Sequence, residues 1–235
     1  MARIDFHIHS CLSPCASPEM SPRAIVTRAQ EAGLDCIALT DHNCAENLPA
    51  FHEACREAGM PCLYGMEVSA SEDVHVLCLF DRLQSAMDFG RVIYHALQEY
   101  PNDPERFGDQ PVVTVDGSIE DFADKLLIGA TDISFFDLVP MARDAGALCI
   151  PAHIDRPYYG ALNHLGFLPD LPYSAVEVTA PGVPQEVGDR PVVHFSDSHS
   201  LGQIGSRFTE IAVDDFTVAE LQQAFSQQLV QEYKK

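Results

Sequence analysis

Asp5-Phe6-His7-Ile8-His9-Ser10 is the stretch whose reading decides the rest of the chain. As a strand, with side chains alternating between faces, it puts His7 and His9 on one side and Phe6 and Ile8 on the other. Residues i and i+2 lie roughly 7 Å apart at Cα, so both imidazoles can swing onto one metal ion. A lone His-x-His is equally compatible with two solvated or core-satisfied histidines, and its company decides between them. Each further strand-like stretch carries another metal-competent residue: Thr40-Asp41-His42-Asn43, Gly65-Met66-Glu67, Val74-His75-Val76, Pro151-Ala152-His153 and Ser196-Asp197-Ser198-His199. The plan is a strand and a ligand, repeated.

Outward from these stretches, strands alternate with helices, the pattern of a parallel sheet covered by helices. Ser21-Pro22 opens a helix with an N-cap and a first-turn proline, and Gly33 closes it. Strand Asp35 to Leu39 follows, then a helix from Asn47 to Ala58 stopped by Gly59, and strand Pro61 to Glu67. Val74 to Phe80 is a further apolar run with His75 near its start. From 82 to 146 the rhythm breaks: a helical stretch Leu83 to Tyr100, a polar turn-rich segment, a β-like run Pro111 to Val115, and a second helix-rich portion in which Ser134 and Asp137 form a capping box. This segment reads as an insertion, either a lid over the ligand-bearing side or an extra packing layer. Alternation resumes with Ala147 to Ala152, Ala175 to Thr179, Pro191 to Phe195, Phe208 to Val213 and a terminal helix from about Val218 to Tyr233. Ligands at the ends of so many strands fit a closed or nearly closed barrel better than an open sheet with one crevice. The expected domain comprises 1–81 and 147–235, with 82–146 inserted.

The 235 residues, 46% of them hydrophobic, supply one sizeable core. A formal net charge of −21 argues against a protein that grips long nucleic acid or anionic membrane through its surface. Divalent cations at the His/Asp/Glu cluster would offset part of that charge. No basic n-region with an apolar h-region opens the chain and no apolar run approaches a membrane span, so a soluble, cytoplasmic protein is expected. Of eight cysteines, Cys36, Cys62, Cys78 and Cys149 fall in apolar strand-like runs and read as buried thiols, and no disulfide framework is needed. Cys11, Cys15 and Cys44 lie in the loops after the first two strands, beside the proposed ligands.

The ordered set His7-x-His9, Thr40-Asp41-His42, Glu67, His75, His153 and Asp197-x-His199 resembles the motifs of the PHP (polymerase and histidinol phosphatase) phosphoesterase family, from Asp5 to His199. The resemblance implies an α/β fold, a distorted (βα)7 TIM-like barrel, holding two or three divalent metals (Zn, Mn or Fe). It further implies that His7, His9, Glu67 and Asp197 surround one metal, that Glu67 bridges to a second held by His75 and His153, and that His42 and His199 hold a third. Members usually place His or Asp in the loop after the first strand, where this chain reads Ser13-Pro14-Cys15. Cys15 is either a thiolate ligand, favouring a softer metal, or a free thiol.

The implied activity is metal-dependent hydrolysis of a small phosphomonoester, such as a nucleotide or nucleoside bisphosphate, by a metal-bound hydroxide. Arg156, three residues past His153, is the candidate phosphate clamp, with Arg207 a second; for each the alternative is a surface ion pair. Asp41 or Asp197 is the candidate acid for the leaving oxygen, and Asp41 also reads as an orienting partner of a ligand histidine. His52, His95, His164 and His194 are assigned no role. Two other functions remain open: an end-directed nuclease on short oligonucleotides, and a non-catalytic metal- or redox-sensing module using Cys11, Cys15 and Cys44. An amidohydrolase-type barrel also begins with His-x-His, but usually carries a bridging carboxylated lysine, and the lysines here are Lys125, Lys234 and Lys235.

Overall fold

The computed structural model describes residues 1–231. Its strands are β1 (Ala2–Asp5), β2 (Cys36–Leu39), β3 (Cys62–Ser69), β4 (His75–Phe80), β5 (Pro111–Val113), β6 (Ile119–Phe122), β7 (Leu148–Pro151), β8 (Val176–Glu177), β9 (Val192–Val193), β10 (Thr209–Ile211) and β11 (Val230–Gln231). The helices are α1 (Pro22–Glu31), α2 (Leu48–Ala58), α3 (Leu83–Ala96), α4 (Pro104–Phe107), α5 (Phe135–Asp144), α6 (Ala161–His164) and α7 (Val218–Ser226). Local chemistry sets several boundaries. The Ser21 hydroxyl accepts from Ala24 N at the start of α1, Gly59 ends α2 in the left-handed conformation, and Ser134 caps α5 through Asp137 N. The last helix stops at Ser226, short of the expected end at Tyr233, which lies outside the described residues.

The main sheet has the order β11-β10-β1-β2-β3-β4-β7 and is mixed. β1, β2 and β3 are parallel, as the alternation predicts, but β4 is antiparallel to both β3 and β7. The reason lies in the connection. Ser69 and His75 face each other across a tight turn closed by Ala70 N donating to Val74 O, with Asp73 at φ 57°. A parallel return needs a crossover of a dozen or more residues, which this segment lacks. The reversal brings the start of β4, and with it His75, to the same end of the sheet as Glu67 near the end of β3.

The sheet curls into a half-open barrel of the distorted TIM type. A separate parallel pair, β8 and β9, continues it from β7 through Ser174 N to Cys149 O and Ile154 N to Glu177 O. Beyond β9 the open side is bridged by two hydrogen bonds, His9 N donating to Ser198 O and Ser198 N to His7 O. Inside, Phe6, Leu63, Leu77 and Ile150 pack with Leu221 and Phe225 of α7, which fills the end opposite the ligands. Outside, Ile37, Met66 and Val76 pack with Ile25, Phe51 and Phe135 from the helices. Phe6 belongs to the inner cluster and Ile8 to the outer one, so they do not share a face as strict alternation predicts. The β1 ladder ends at Asp5, and Ile8 pairs instead with Ser198.

Within 82–146, α3 lies on β3 and β4, and α5 lies on β7. After β5 the chain forms β6, paired back across a turn containing Asp116-Gly117, where a helix-rich portion is expected. This hairpin is fastened to the α2 entrance: Asn47 Nδ2 donates to Pro111 O, and Val113 N donates to Asn47 Oδ1. Asn43 Nδ2 likewise donates to Leu127 O and Gly129 O. Among the described residues no helix is long and apolar enough to cross a membrane.

Candidate metal centre

The inward columns of the strands change from apolar to ligating at one level. Leu63 leads to Glu67 on β3, Leu77 to His75 on β4, and Ala152 is followed by His153. Between Leu63 and Glu67 only hydrogen fits, since a Cβ on Gly65 would lie 2.4 Å from Cys78 O. Among the described residues, four of the six non-glycine positions with positive φ sit around this mouth: Asn43, His153, Tyr159 and Asp197. Such turns cost of order 1 kcal/mol each and aim the side chains of 153 and 197 back over the barrel.

Glu67 is the hub. Its Oε1 lies 2.8 Å from His75 Nδ1, 2.9 Å from His153 Nε2 and 3.3 Å from His7 Nε2. Its Oε2 lies 3.2 Å from His42 Nδ1 and 3.3 Å from His9 Nε2. Asp197 Oδ1 is 3.2 Å from His7 Nε2, 3.3 Å from His9 Nε2 and 3.6 Å from His199 Nδ1. Three sets each bring one donor atom per residue within 4.8 Å of one another: His7, His9, Glu67 and Asp197; His42, Glu67 and His75; and His9, Cys15, His42 and His199. The buried atoms His7 Nε2, His9 Nε2, His42 Nδ1 and Asp197 Oδ1 make no hydrogen bond. Unpaired buried donors of these types, converging on one space, fit divalent metal ions.

The charge states follow from the neighbours. Burial alone would press His7 and His9 down, but the carboxylates of Asp197 and Glu67, joined at His7 by Glu177, outweigh it and raise both, His9 to about 9. Burial dominates at His42 and His75, which are lowered. Burial pushes Glu67 and Asp197 up, yet the surrounding imidazoles hold both well below the usual carboxylate range.

Behind the ligands stands a ring of orienting groups. Ser13 Oγ meets His9 Nδ1 at 3.0 Å and donates to Asp41 Oδ1, and His42 N donates to it in turn. Asp41 also accepts from Ser10 N and Ser10 Oγ, is buried, and does not line the pocket. Asp5 accepts from Ser196 N and Gly205 N, holding the loop that carries Asp197 and His199. Sequence reasoning missed Glu177, whose Oε2 lies 2.9 Å from His7 Nδ1 and accepts from His153 N. The available signal was a lone carboxylate in the apolar run Ala175-Val176-Glu177-Val178, which burial obliges to find a partner.

A pocket of about 230 Å³ opens onto the cage, its wall including Cys15, Ile128, Arg156, Tyr159, Asp197 and His199. Ile128 comes from the 82–146 segment. Arg156 Nη1 donates to Asp197 Oδ2, so the guanidinium is already at the mouth. Arg207 is not part of the wall. Tyr159, which the sequence did not single out, stacks on His75 at 4.3 Å and 12°, while its carbonyl accepts from His75 N. Of the histidines given no role, His52 bonds Tyr64 Oη, His164 accepts from Tyr159 N, and His194 Nδ1 lies 2.7 Å from Val178 O. Cys11 and Cys44 are buried elsewhere, Cys44 against Leu12, Leu97 and Leu127.

Fold and donor set together define a metal-binding hydrolase module on a distorted TIM-like barrel. The chain belongs to the PHP domain family, whose model matches residues 5–163. A 3',5'-nucleoside bisphosphate phosphatase from Chromobacterium violaceum is 38% identical over 77 residues, 33% of this chain and 26% of its own length. A PolC-type DNA polymerase III from Streptococcus sanguinis is 36% identical over 72 residues, 30% of this chain and 5% of the polymerase. A lesion-specific endonuclease from Pyrococcus furiosus superposes with a TM-score of 0.68 at 18% identity, covering 96% of this chain and 56% of its own. An Endonuclease Q chain in complex with a 27-mer duplex bearing an abasic lesion at the active site gives the same figures. At that identity the likeness is one of fold. It nevertheless overturns the expectation that long nucleic acid is an unlikely partner: a chain that shares this fold over 56% of its length is in complex with a duplex there. Net charge sums over a whole surface and does not describe the local field at one mouth.

Proposed function

We propose that the chain is the hydrolytic module of a nuclease that cuts one phosphodiester at a time, at a strand end or where the backbone at a lesion bows inward. The observation that carries this reading is the donor cage at the base of a pocket of about 230 Å³, room for one phosphate and its sugar but not for paired strands. The fold shared with an endonuclease bound to duplex DNA supports it. His7, His9, Glu67 and Asp197 would hold one divalent ion, His75 and His153 with Glu67 a second, and His42 and His199 a third. Zn, Mn or Fe suits these donors, and when bound supplies Lewis acidity and an activated water. Arg156 binds the phosphate oxygens through the N–H groups that Asp197 leaves unused. Asp197, kept ionised by its imidazole neighbours, serves to hold a cation and not to donate a proton. Asp41 acts through Ser13 to orient His9. Tyr159 offers its ring to the sugar or base next to the scissile phosphate.

The test gives the metal-loaded chain end-labelled single strands, intact duplex, duplex with an abasic site, and a 3',5'-nucleoside bisphosphate. Shortened or nicked strands, lost in Glu67→Gln, are expected. Phosphate release from the bisphosphate with intact strands would favour a second reading, a nucleoside bisphosphate phosphatase, which the 38% identical stretch supports. Turnover of neither overturns both.

A further inference from the structure

Cys15 lies in the loop that follows β1, and the fold holds it in register with three imidazoles. Its Sγ, with one nitrogen each of His9, His42 and His199, forms a set within 4.8 Å. The loop bearing it is fastened on both sides to those same residues. Two positions before Cys15, Ser13 Oγ meets His9 Nδ1 and accepts from His42 N. Two positions after it, Ser17 N donates to His199 O at 2.8 Å, and between them Ala16 N donates to Ser13 O. A cysteine retained only as a small surface residue needs no such double anchorage.

His9 Nε2 also faces Glu67 and Asp197, and one nitrogen binds one ion, so His9 goes with the carboxylates. Cys15, His42 and His199 remain. All three line the pocket, giving three protein ligands and a fourth position facing substrate.

We infer that Cys15 is a metal ligand and makes the third position a sulfur-bearing site with a preference unlike that of its neighbours, so that the centre takes unlike metals. Thiolate with two imidazoles selects zinc or cobalt, while the Glu67 and Asp197 positions, rich in carboxylate oxygen, accept manganese. On coordination the Cys15 S–H proton passes to solvent as the metal–sulfur bond forms. The inference rests on the proposed metal cage but not on the substrate.

The experiment titrates Co²⁺ into the metal-stripped full chain and records the near-ultraviolet sulfur-to-cobalt charge-transfer band. The band is expected in the wild type and absent in Cys15→Ser, which keeps the visible cobalt bands of the nitrogen and oxygen sites and the wild-type circular dichroism. Cobalt bound without the charge-transfer band, or a band that survives Cys15→Ser, overturns the role of Cys15 and leaves the cage standing; no cobalt bound overturns both. In a second arm, wild type and Cys15→Asp are equilibrated with mixed Zn²⁺ and Mn²⁺ and analysed for metal content. One zinc per chain should resist exchange in the wild type, and its preference over manganese should fall by roughly tenfold or more in the variant. Equal preference in both proteins overturns the selectivity.

Discussion

At His9 the metal-free protein carries a proton that the metal-bound protein must lose. Both imidazoles are raised, His9 from 6.5 to about 9, so near pH 7.5 His9 is protonated, and coordination through its Nε2 must expel that proton. Metal uptake should therefore release protons and weaken as pH falls. Calorimetric titration in two buffers of different ionisation enthalpy reads this directly, and heats that do not depend on the buffer would refute it. The sign for folding is the opposite. A group raised on folding stabilises below its unfolded value and ceases to do so as pH rises through its folded one. The metal-free chain should thus lose stability between about 6.5 and 9, a loss that bound metal removes. Glu177 makes a second test. Glu177→Gln keeps the shape but weakens the partner of His7 Nδ1 and His153 N, and metal affinity should drop about 10–100-fold, measured by competition with a chromophoric chelator. The ligand types were legible because His and Asp after apolar runs are conspicuous. Glu177 and Ser13 were not, because an orienting partner is defined by what it touches, and those contacts span 170 and 4 residues.

Among the elements, β3 bears the tightest constraint. An added methyl at Gly65 would collide with backbone, not with a movable side chain, so Gly65→Ala should cost about 1–3 kcal/mol in urea unfolding of the metal-free chain. An unchanged midpoint would mean that β3 and β4 can separate without loss. Helix starts and stops were readable because a hydroxyl cap, a first-turn proline or a left-handed glycine acts within one turn. The direction of β4 was hidden by its composition: an apolar run looks the same read either way, and only the short Ser69 to His75 turn betrays the reversal. The β5–β6 hairpin was missed although Asp116-Gly117 is a strong turn signal, because β6 is wholly exposed and its sequence Ile-Glu-Asp-Phe has no buried face to mark it. Asn47→Ala should loosen this hairpin, removing bonds to Pro111 and Val113, and raise amide exchange in 111–122 while leaving β1 to β4 protected.

For the whole molecule, the bridge across the open side of the barrel is the feature on which the centre depends. His7 and His9 stand on one side of the junction and Asp197 and His199 on the other, with two backbone hydrogen bonds through Ser198 between them. Metals shared across that junction should fasten it. A chelator should then raise hydrogen exchange at the amides of His9 and Ser198 more than in the β3–β4 pair, and uniform loss of protection would show that the junction has no separate stability. This arrangement also sets a clock on biosynthesis. The first ligands to leave the ribosome wait for partners 190 residues further on, about 10–40 s of synthesis at usual rates. Until then the nascent chain displays His-x-His without the carboxylate that completes its site, so the finished centre is acquired late, by a chain whose other strands have already had time to pair.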